Sequence, residues 1–509
     1  MNVPVIYYNE KDLNMQIPLE ILEIIKKLNQ GDFKTYIVGG CVRDLVISKT
    51  KELKRSPKDW DITTNAKPQQ IQKLFPDSVY ENKFGTVLVK TNSESPDLKI
   101  VEVTTFRKEG KYSDKRHPDK IEFAKTIEED LSRRDFTVNA MAIKIKDVQD
   151  TLVDPFNGKK DIKNKLIRAV GNAKERFSED GLRLMRAIRF ACELNFQIEP
   201  QTLEAIKDNA PLLSFVSKER IRDELIKIIN SSEAARGILL LQTTGLLKQI
   251  IPELEKSIGV TQTKHHIYTV WEHLWRSLKY ACAKKYSLEV RLASLFHDIG
   301  KPYVKEGEGI DSTFYNHEWQ GAKIIVRILD RLKFPNDKSE KIVKLVRYHG
   351  FVYDTEITTD AAIRRLLVKI GKENIQELAQ VREADRIGSG CPKALPFRLR
   401  HFLFRVEKVL QELEGQQPSL KILKINGRDI IKILNIKPNP RIGAILNILL
   451  EEILDDPKKN TKKYLEKEVK ELNQLSKNEL MEKQKIAQRK YKDLLEEEER
   501  KIKKKYYVD

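Results

Sequence analysis

Cysteine is scarce in this 509-residue chain. Its four residues, Cys41, Cys192, Cys282 and Cys391, are scattered and form no CxxC pair. That excludes a disulfide scaffold and a cysteine-built zinc ribbon, and it fits a reducing compartment. Glycine (22) and proline (19) are also few, which favours helices over turn-rich architectures. Long apolar runs are missing: the greasiest late stretch, Ile442 to Leu454, is too short to span a bilayer and runs into acids. The opening MNVPVIYYNEKDLN lacks a basic flank followed by an apolar core, and its acidic residues argue against a transit peptide. No membrane association and a cytoplasmic location are therefore expected.

What is abundant is positive charge. Lys and Arg number 94 against 75 Asp and Glu, a formal net charge of +19. Such a surplus points to an anionic partner, nucleic acid first. From Pro457 onward there are 17 basic and 11 acidic residues, so most of the excess belongs to the body of the chain. The length implies about three or four domains of ~100–200 residues. Up to about Gly171, short β-rich runs (Tyr36–Val38, Gly85–Val89, Lys99–Val103) alternate with helical patterns. Beyond it the periodicity is helical, with predicted helices over Glu179–Phe196 and Lys218–Asn230. The Lys/Glu-dense end predicts a long solvated helix or a frayed arm.

Chemistry-bearing residues begin where Tyr36-Ile37-Val38 runs into Gly39-Gly40 and a helix start at Cys41-Val42-Arg43-Asp44. A strand–Gly-Gly–helix turn lets backbone N–H groups approach a phosphate at a helix N-terminus. Downstream stands Asp59-Trp60-Asp61. In a strand, positions two apart share a face, so both carboxylates would project side by side. Two convergent carboxylates can hold two divalent cations ~3.5–4 Å apart, as nucleotidyl transfer requires. A turn with two solvated acids is the plainer alternative, and the phosphate-type turn just upstream favours the metal reading. Asp180 and Arg183 are three apart, and on a helix they share a face. Their acceptors and donors suffice to read a base edge, while a surface ion pair is the competing reading. Asn139 lies in the apolar run Phe136–Met141, so its amide needs a polar partner when buried.

These motifs in this order resemble class II CCA-adding tRNA nucleotidyltransferases of the poly(A) polymerase family. Val38-Gly39-Gly40-Cys41-Val42-Arg43-Asp44 with Asp59 and Asp61 resembles the catalytic head. Arg133-Arg134-Asp135-Phe136-Thr137-Val138-Asn139 resembles the ribose- and triphosphate-contacting motif. Asp154-Pro155-Phe156 with Gly158 and Asp161 resembles a hinge, and Glu179-Asp180-Gly181-Leu182-Arg183 with Arg186 and Arg189 the nucleotide-selecting helix. Lys218-Glu219-Arg220-Ile221-Arg222-Asp223-Glu224-Leu225 resembles the last neck motif.

The resemblance implies a DNA polymerase beta-like α/β head (20–165), a helical neck (166–255), an HD domain (256–400) and a helical C-terminal body with a charged tail (420–509). It implies CCA addition to tRNA from CTP and ATP, Mg²⁺ at Asp59 and Asp61, and nucleotide contacts from Gly39, Gly40, Arg43, Arg134, Asp135, Asn139, Asp180, Arg183, Arg186 and Arg189. Asp180 and Arg183 would act as a protein template. Glu102, on an adjacent predicted strand, is either a third carboxylate or half of a cross-strand salt bridge. The basic segment Thr105–Pro118 resembles the flexible loop that full CCA addition needs, and the long basic signature of bacterial poly(A) polymerases is missing. A-only addition and polyadenylation are the rival outcomes. An HD phosphohydrolase with a degenerate RNA-binding head is another.

Six of the eight histidines fall between residues 265 and 349. Imidazole and carboxylate ligands suit a mid-sized transition metal or a dinuclear centre. The order His273, His297-Asp298, His317, His349 and Asp385 resembles the HD phosphohydrolase superfamily. It implies His273, His297, Asp298 and Asp385 at one metal and His317 and His349 at a second, with phosphodiesterase or phosphatase activity. The alternative is an HD fold kept as a tRNA-binding platform. His265 and His266 match nothing in that pattern. Lys424–Asp429 and Ile436–Gly443 resemble the family's tRNA-contacting body. No obligate protein partner is evident.

Overall fold

The structure, a computed structural model, describes residues 6–9, 17–49, 57, 59–81, 85–110, 121–145, 150–262, 267–308, 311–390, 397–413 and 420–486. The chain divides into two compact units, residues 1–255 and 256–509.

The first unit is built on strands β1 (Ile6–Asn9), β2 (Thr35–Val38), β3 (Asp61–Thr64), β4 (Val79–Tyr80), β5 (Thr86–Lys90), β6 (Ile100–Thr105), β7 (Arg107–Glu109), β8 (Ile121–Phe123), β9 (Ala142–Lys144) and β10 (Thr151–Asp154). Eight of them form one mixed sheet in the order β1-β10-β9-β2-β3-β6-β5-β4. β3 and β6 run parallel; the other neighbours are antiparallel. The short strands hold because β-branched residues such as Ile37, Ile62, Val87 and Val103 are buried on a packed face. On β6, Val101 and Val103 turn inward while Ile100 and Glu102 face out. The parallel register sets Glu102 opposite Asp61.

One expectation about the aspartates is corrected. Asp59 is not a strand residue: the chain bends there, and β3 starts at Asp61. The cause lies in β2, which ends at Val38 opposite Asp61 because Gly39, at φ +89, turns the chain into the helix Gly40–Lys49. No β2 residue is left to pair with Asp59.

The expected helix Glu179–Phe196 is also corrected. It is two helices, Ala173–Glu179 and Leu182–Leu194, broken at Asp180, whose backbone is extended (φ −137, ψ 110). Asp180 instead caps the second helix, accepting the Leu182 N–H at 2.9 Å. A Cβ on Gly181 would come within 2.8 Å of the Leu212 carbonyl oxygen, so the break is close-packed. Leu182, Met185 and Ile188 are buried, and Lys218–Asn230 is a helix as expected. The segment resembling a hinge is tied down. Buried Asp154 accepts the N–H groups of Gly158 and Lys159 at 2.7 and 2.9 Å, and Asp161 accepts the Thr137 hydroxyl at 2.7 Å.

The second unit is helical among its described residues. Helices Val270–Ala283, Leu288–Phe296, His317–Arg331, Asn336–Tyr348 and Ile375–Gly388 assemble the histidine-rich part. Two glycines let them approach: a Cβ on Gly300 would meet the His317 carbonyl oxygen at 2.1 Å, and one on Gly388 the Ser277 hydroxyl at 2.2 Å. Ile442 to Leu454 lies in the helix Pro440–Asp455, whose apolar side is buried among Leu423, Ile430, Leu465, Val469, Leu472 and Leu480. The prediction of a solvated end is therefore corrected for residues 462–480. Leu465, Val469 and Leu472 recur at three-and-four spacing and close this core. Among the described residues, no helix is long and apolar enough to cross a membrane.

Candidate active site and metal centre

A cavity of about 850 Å³ opens in the first unit, lined by Gly39, Gly40, Arg43, Asp59, Asp61, Arg134, Asp135, Asn139, Arg186, Arg189 and Phe190, among others. The β2–helix turn forms one wall. An added Cβ on Gly39 would stand 3.0 Å from Arg134 Nη1 and 3.3 Å from Asp61 Oδ2, so only glycine leaves this corner open. Burial pushes the Asp61 carboxyl up from its ordinary value; Arg134 opposes this and the charge of Asp59 adds to it. Glu102 is pushed up too, by burial and then by Asp61, Glu81 and Asp59. Carboxylates that raise one another's proton affinity fit a site meant for a divalent cation.

Opposite the carboxylates sits a set of guanidinium groups, each tied to an acid: Arg43 to Asp44, Arg134 to Asp130, Arg186 to Asp135 and Arg189 to Glu224. Asp135 accepts from Arg186 Nε at 2.6 Å, from the Phe136 N–H at 2.8 Å and from Asn139 Nδ2 at 3.4 Å. Burial alone would push its carboxyl up, but Arg186 and Arg183 outweigh that and hold it down at about 2. Asn139 in turn accepts from Arg43 Nη1 at 2.8 Å. The polar partners its burial demanded are thus Arg43 and Asp135. Arg133 and Arg134 reach back to fully buried Asp130, at 2.9 and 3.6 Å, in the preceding helix Ile127–Ser132.

Phe190 was not singled out in the sequence, and it lies at the centre of this wall. Arg43, Arg186 and Arg189 stand 5.4, 5.2 and 4.2 Å from its ring centroid. Its place four residues after Arg186 on one helix was the available signal. Arg189 also donates to Glu224 at 3.2 Å.

Asp180 and Arg183 are not among the residues lining the cavity. Asp180 pairs with Arg220 at 2.9 Å. Arg183 is held by Glu179 and by the carbonyl oxygens of Arg176 and Arg133. The loop-like segment starts as a hairpin stem, β7 against β8; residues 111–118 lie outside the described residues.

In the second unit the six predicted ligands converge. His273 Nε2 is 2.8 Å from His297 Nε2, and Asp385 Oδ1 lies 3.1 and 3.5 Å from the same two nitrogens. Asp298 bridges: its Oδ2 is 3.4 and 3.3 Å from His273 and His297, its Oδ1 3.2 and 3.6 Å from His317 and His349. His297, His317 and His349 each place Nδ1 within 2.9 Å of a carbonyl three residues earlier. A carbonyl only accepts, so Nδ1 carries a proton and Nε2 is the atom turned inward toward a metal. Two groups of donors follow, His273–His297–Asp298 and Asp298–His317–His349, each suited to a metal ion. Burial would lower the His297 imidazole, but Asp298 and Asp385 raise it to about 10, so a metal must displace that proton. Lys301, three residues after Asp298 and not singled out in the sequence, is buried and contacts Asp298 Oδ2 at 2.7 Å and Gln262 Oε1 at 2.6 Å. His265 and His266 lie outside the described residues.

Two outcomes follow. The depressed Asp135 carboxyl contributes stability above the ordinary 3.8, lost as pH falls toward 2. Asp135→Asn should cost about 2 kcal/mol at pH 7, a deficit that shrinks below about pH 4, in chemical denaturation across pH. Because Asp298 alone faces both donor groups, Asp298→Ala should abolish all transition-metal binding by elemental analysis, while His317→Ala with His349→Ala should leave one equivalent bound.

Comparison with known proteins gives the family. Residues 35–168 match the poly(A) polymerase head domain, 195–258 the probable RNA- and SrmB-binding site of polymerase A, and 270–389 the HD domain. The CCA-adding enzyme of Geobacillus stearothermophilus is 44% identical over 228 residues, 45% of this chain and 53% of that enzyme. The A-adding tRNA nucleotidyltransferase of Deinococcus radiodurans is 34% identical over 334 residues, 64% of this chain and 75% of that enzyme. The crystal structure of the Bacillus stearothermophilus CCA-adding enzyme in complex with CTP superposes with a TM-score of 0.64 at 28% identity, covering 90% of this chain and 97% of that one. The chain spans about half the length of the curated CCA-adding enzymes it matches. The head-domain match and the Deinococcus match together give one conclusion: the chain belongs to the tRNA nucleotidyltransferase family.

Proposed function

We propose that this chain extends tRNA 3′ ends in the cytoplasm, completing CCA from CTP and ATP without a nucleic-acid template. The observation that carries this reading is one cavity with paired carboxylates, Asp59 and Asp61, on one side and arginines on the other. Mg²⁺ held by Asp59 and Asp61 would activate the tRNA 3′-hydroxyl and neutralise the triphosphate. Gly39 and Gly40 let backbone N–H groups approach the phosphates at a helix start. Arg43, Arg134, Arg186 and Arg189 bind their charge, while Asp135 and Asn139 hold the guanidinium groups in place. Asp180 and Arg183 read the base edge. The C-terminal body, with helix starts at Gly427 and Pro440 capped by Asn426 and Asn439, supports the tRNA arm.

A-only addition is the second reading. It is favoured by the length of the Deinococcus match, 334 residues against 228. The HD centre acts as a phosphohydrolase: a transition-metal pair held by its six ligands would supply an activated water for phosphoester cleavage.

The test is single-turnover extension of a tRNA transcript lacking CCA, with Mg²⁺ and CTP, ATP or both, read at nucleotide resolution. Addition of C, C and A followed by a stop is expected, with Asp61→Asn slowed at least ~100-fold and His297→Ala unaffected. A added only to a CC-ended transcript makes the chain an A-adding enzyme, and a long A ladder makes it a poly(A) polymerase. No extension of any transcript removes the transferase reading.

A further inference from the structure

Both residues of the base-reading pair are engaged inside the protein. Asp180 Oδ1 accepts the Leu182 N–H at 2.9 Å, and its Oδ2 accepts from Arg220 Nη2, also at 2.9 Å, from the helix Lys218–Asn230. These two contacts fix the carboxylate's direction. The guanidinium of Arg183 is taken up by Glu179 and two carbonyl oxygens. Neither side chain lines the cavity, although both stand just behind its wall. The charge of Arg183 helps hold Asp135 ionised, and that of Asp180 supports Arg186.

Arg220 is poorly served where it stands. Its Nη1 is buried without a hydrogen-bond partner among the described residues, and such an unmade bond is costly. The pair it forms is partly open to water, with side-chain exposures of 27% for Arg220 and 15% for Asp180, so its net strength is modest. A modest pair can direct a carboxylate and still be exchanged when a stronger partner arrives.

We propose that Arg220 is a positioning residue for nucleotide selection: it holds Asp180 away from the cavity until the amino edge of an incoming base draws the carboxylate off. The inference rests on the reading of Asp180 as a base-contacting residue. Arg220 is therefore a competitor of the nucleotide for one carboxylate. It keeps the empty site from presenting an unpaired acid beside the phosphate-binding arginines, and it makes each binding event contingent on a base able to replace it.

The test is equilibrium binding of CTP and of ATP, with Mg²⁺ and without tRNA, to the full chain and to Arg220→Gln, Arg220→Lys, Asp180→Asn and the Asp180→Asn/Arg220→Gln double variant. Removing the competitor should tighten both nucleotides about three- to tenfold in Arg220→Gln, with Arg220→Lys intermediate. The gain should vanish when Asp180 is already Asn. A merely structural role would weaken binding instead. Unchanged or weaker binding in Arg220→Gln, or, if that variant fails to fold, in Arg220→Lys, overturns the proposal. So does the same gain in the Asp180→Asn background. If Asp180→Asn alone leaves both affinities unchanged, it is the base-reading assignment that fails.

Discussion

A buried acid that aims arginines is the interaction on which the first unit depends. Asp135 has almost no exposure, yet it remains ionised because Arg186 and Arg183 stand beside it. Remove that charge and two effects follow. Arg186 loses the acceptor that points it along the cavity, and Asn139, which also accepts from Arg43, loses one of its two partners. The same device recurs a few residues earlier, where Asp130 restrains Arg133 and Arg134. Buried acids of this kind do little for stability relative to an apolar core, but they fix direction. Direction is what brings several guanidinium groups to face one cavity.

The metal centre of the second unit works on the opposite plan. There a single acid, Asp298, divides its two oxygens between two sets of imidazoles. Backbone carbonyls three residues earlier fix the tautomer of three rings, a consequence of placing each histidine at a helix end or turn. Close helix approach at Gly300 and Gly388 brings five separate elements to one point.

Much of this was legible in the sequence, for physical reasons that also mark the limits. The glycine turn, the two aspartates and the histidine series were readable because each needs particular residue types at short or ordered spacings. Asp59 was misplaced in a strand because an alternating pattern does not reveal where a neighbouring strand runs out; Gly39 ends β2 and leaves Asp59 unpaired. The helix predicted through Asp180 failed because periodicity on both sides of a cap looks continuous, and the cap itself is set by a side chain bonding to Leu182. Arg220 stood in the last neck motif with no visible role because its partner, Asp180, is 40 residues away, and Phe190 was passed over because an aromatic in a helix looks like core even four residues after an arginine. The buried face of residues 462–480 was masked by the charge around Leu465, Val469 and Leu472.

The most direct measurement is a crystal structure of the full chain with Mg²⁺ and a non-hydrolysable CTP analogue. The triphosphate is expected in the cavity beside Gly39 and Gly40, with a cation touching Asp59 and Asp61 and Asp180 turned from Arg220 to the base. A nucleotide bound elsewhere, or one in the cavity with no cation at Asp61 and the Asp180–Arg220 pair intact, would contradict this.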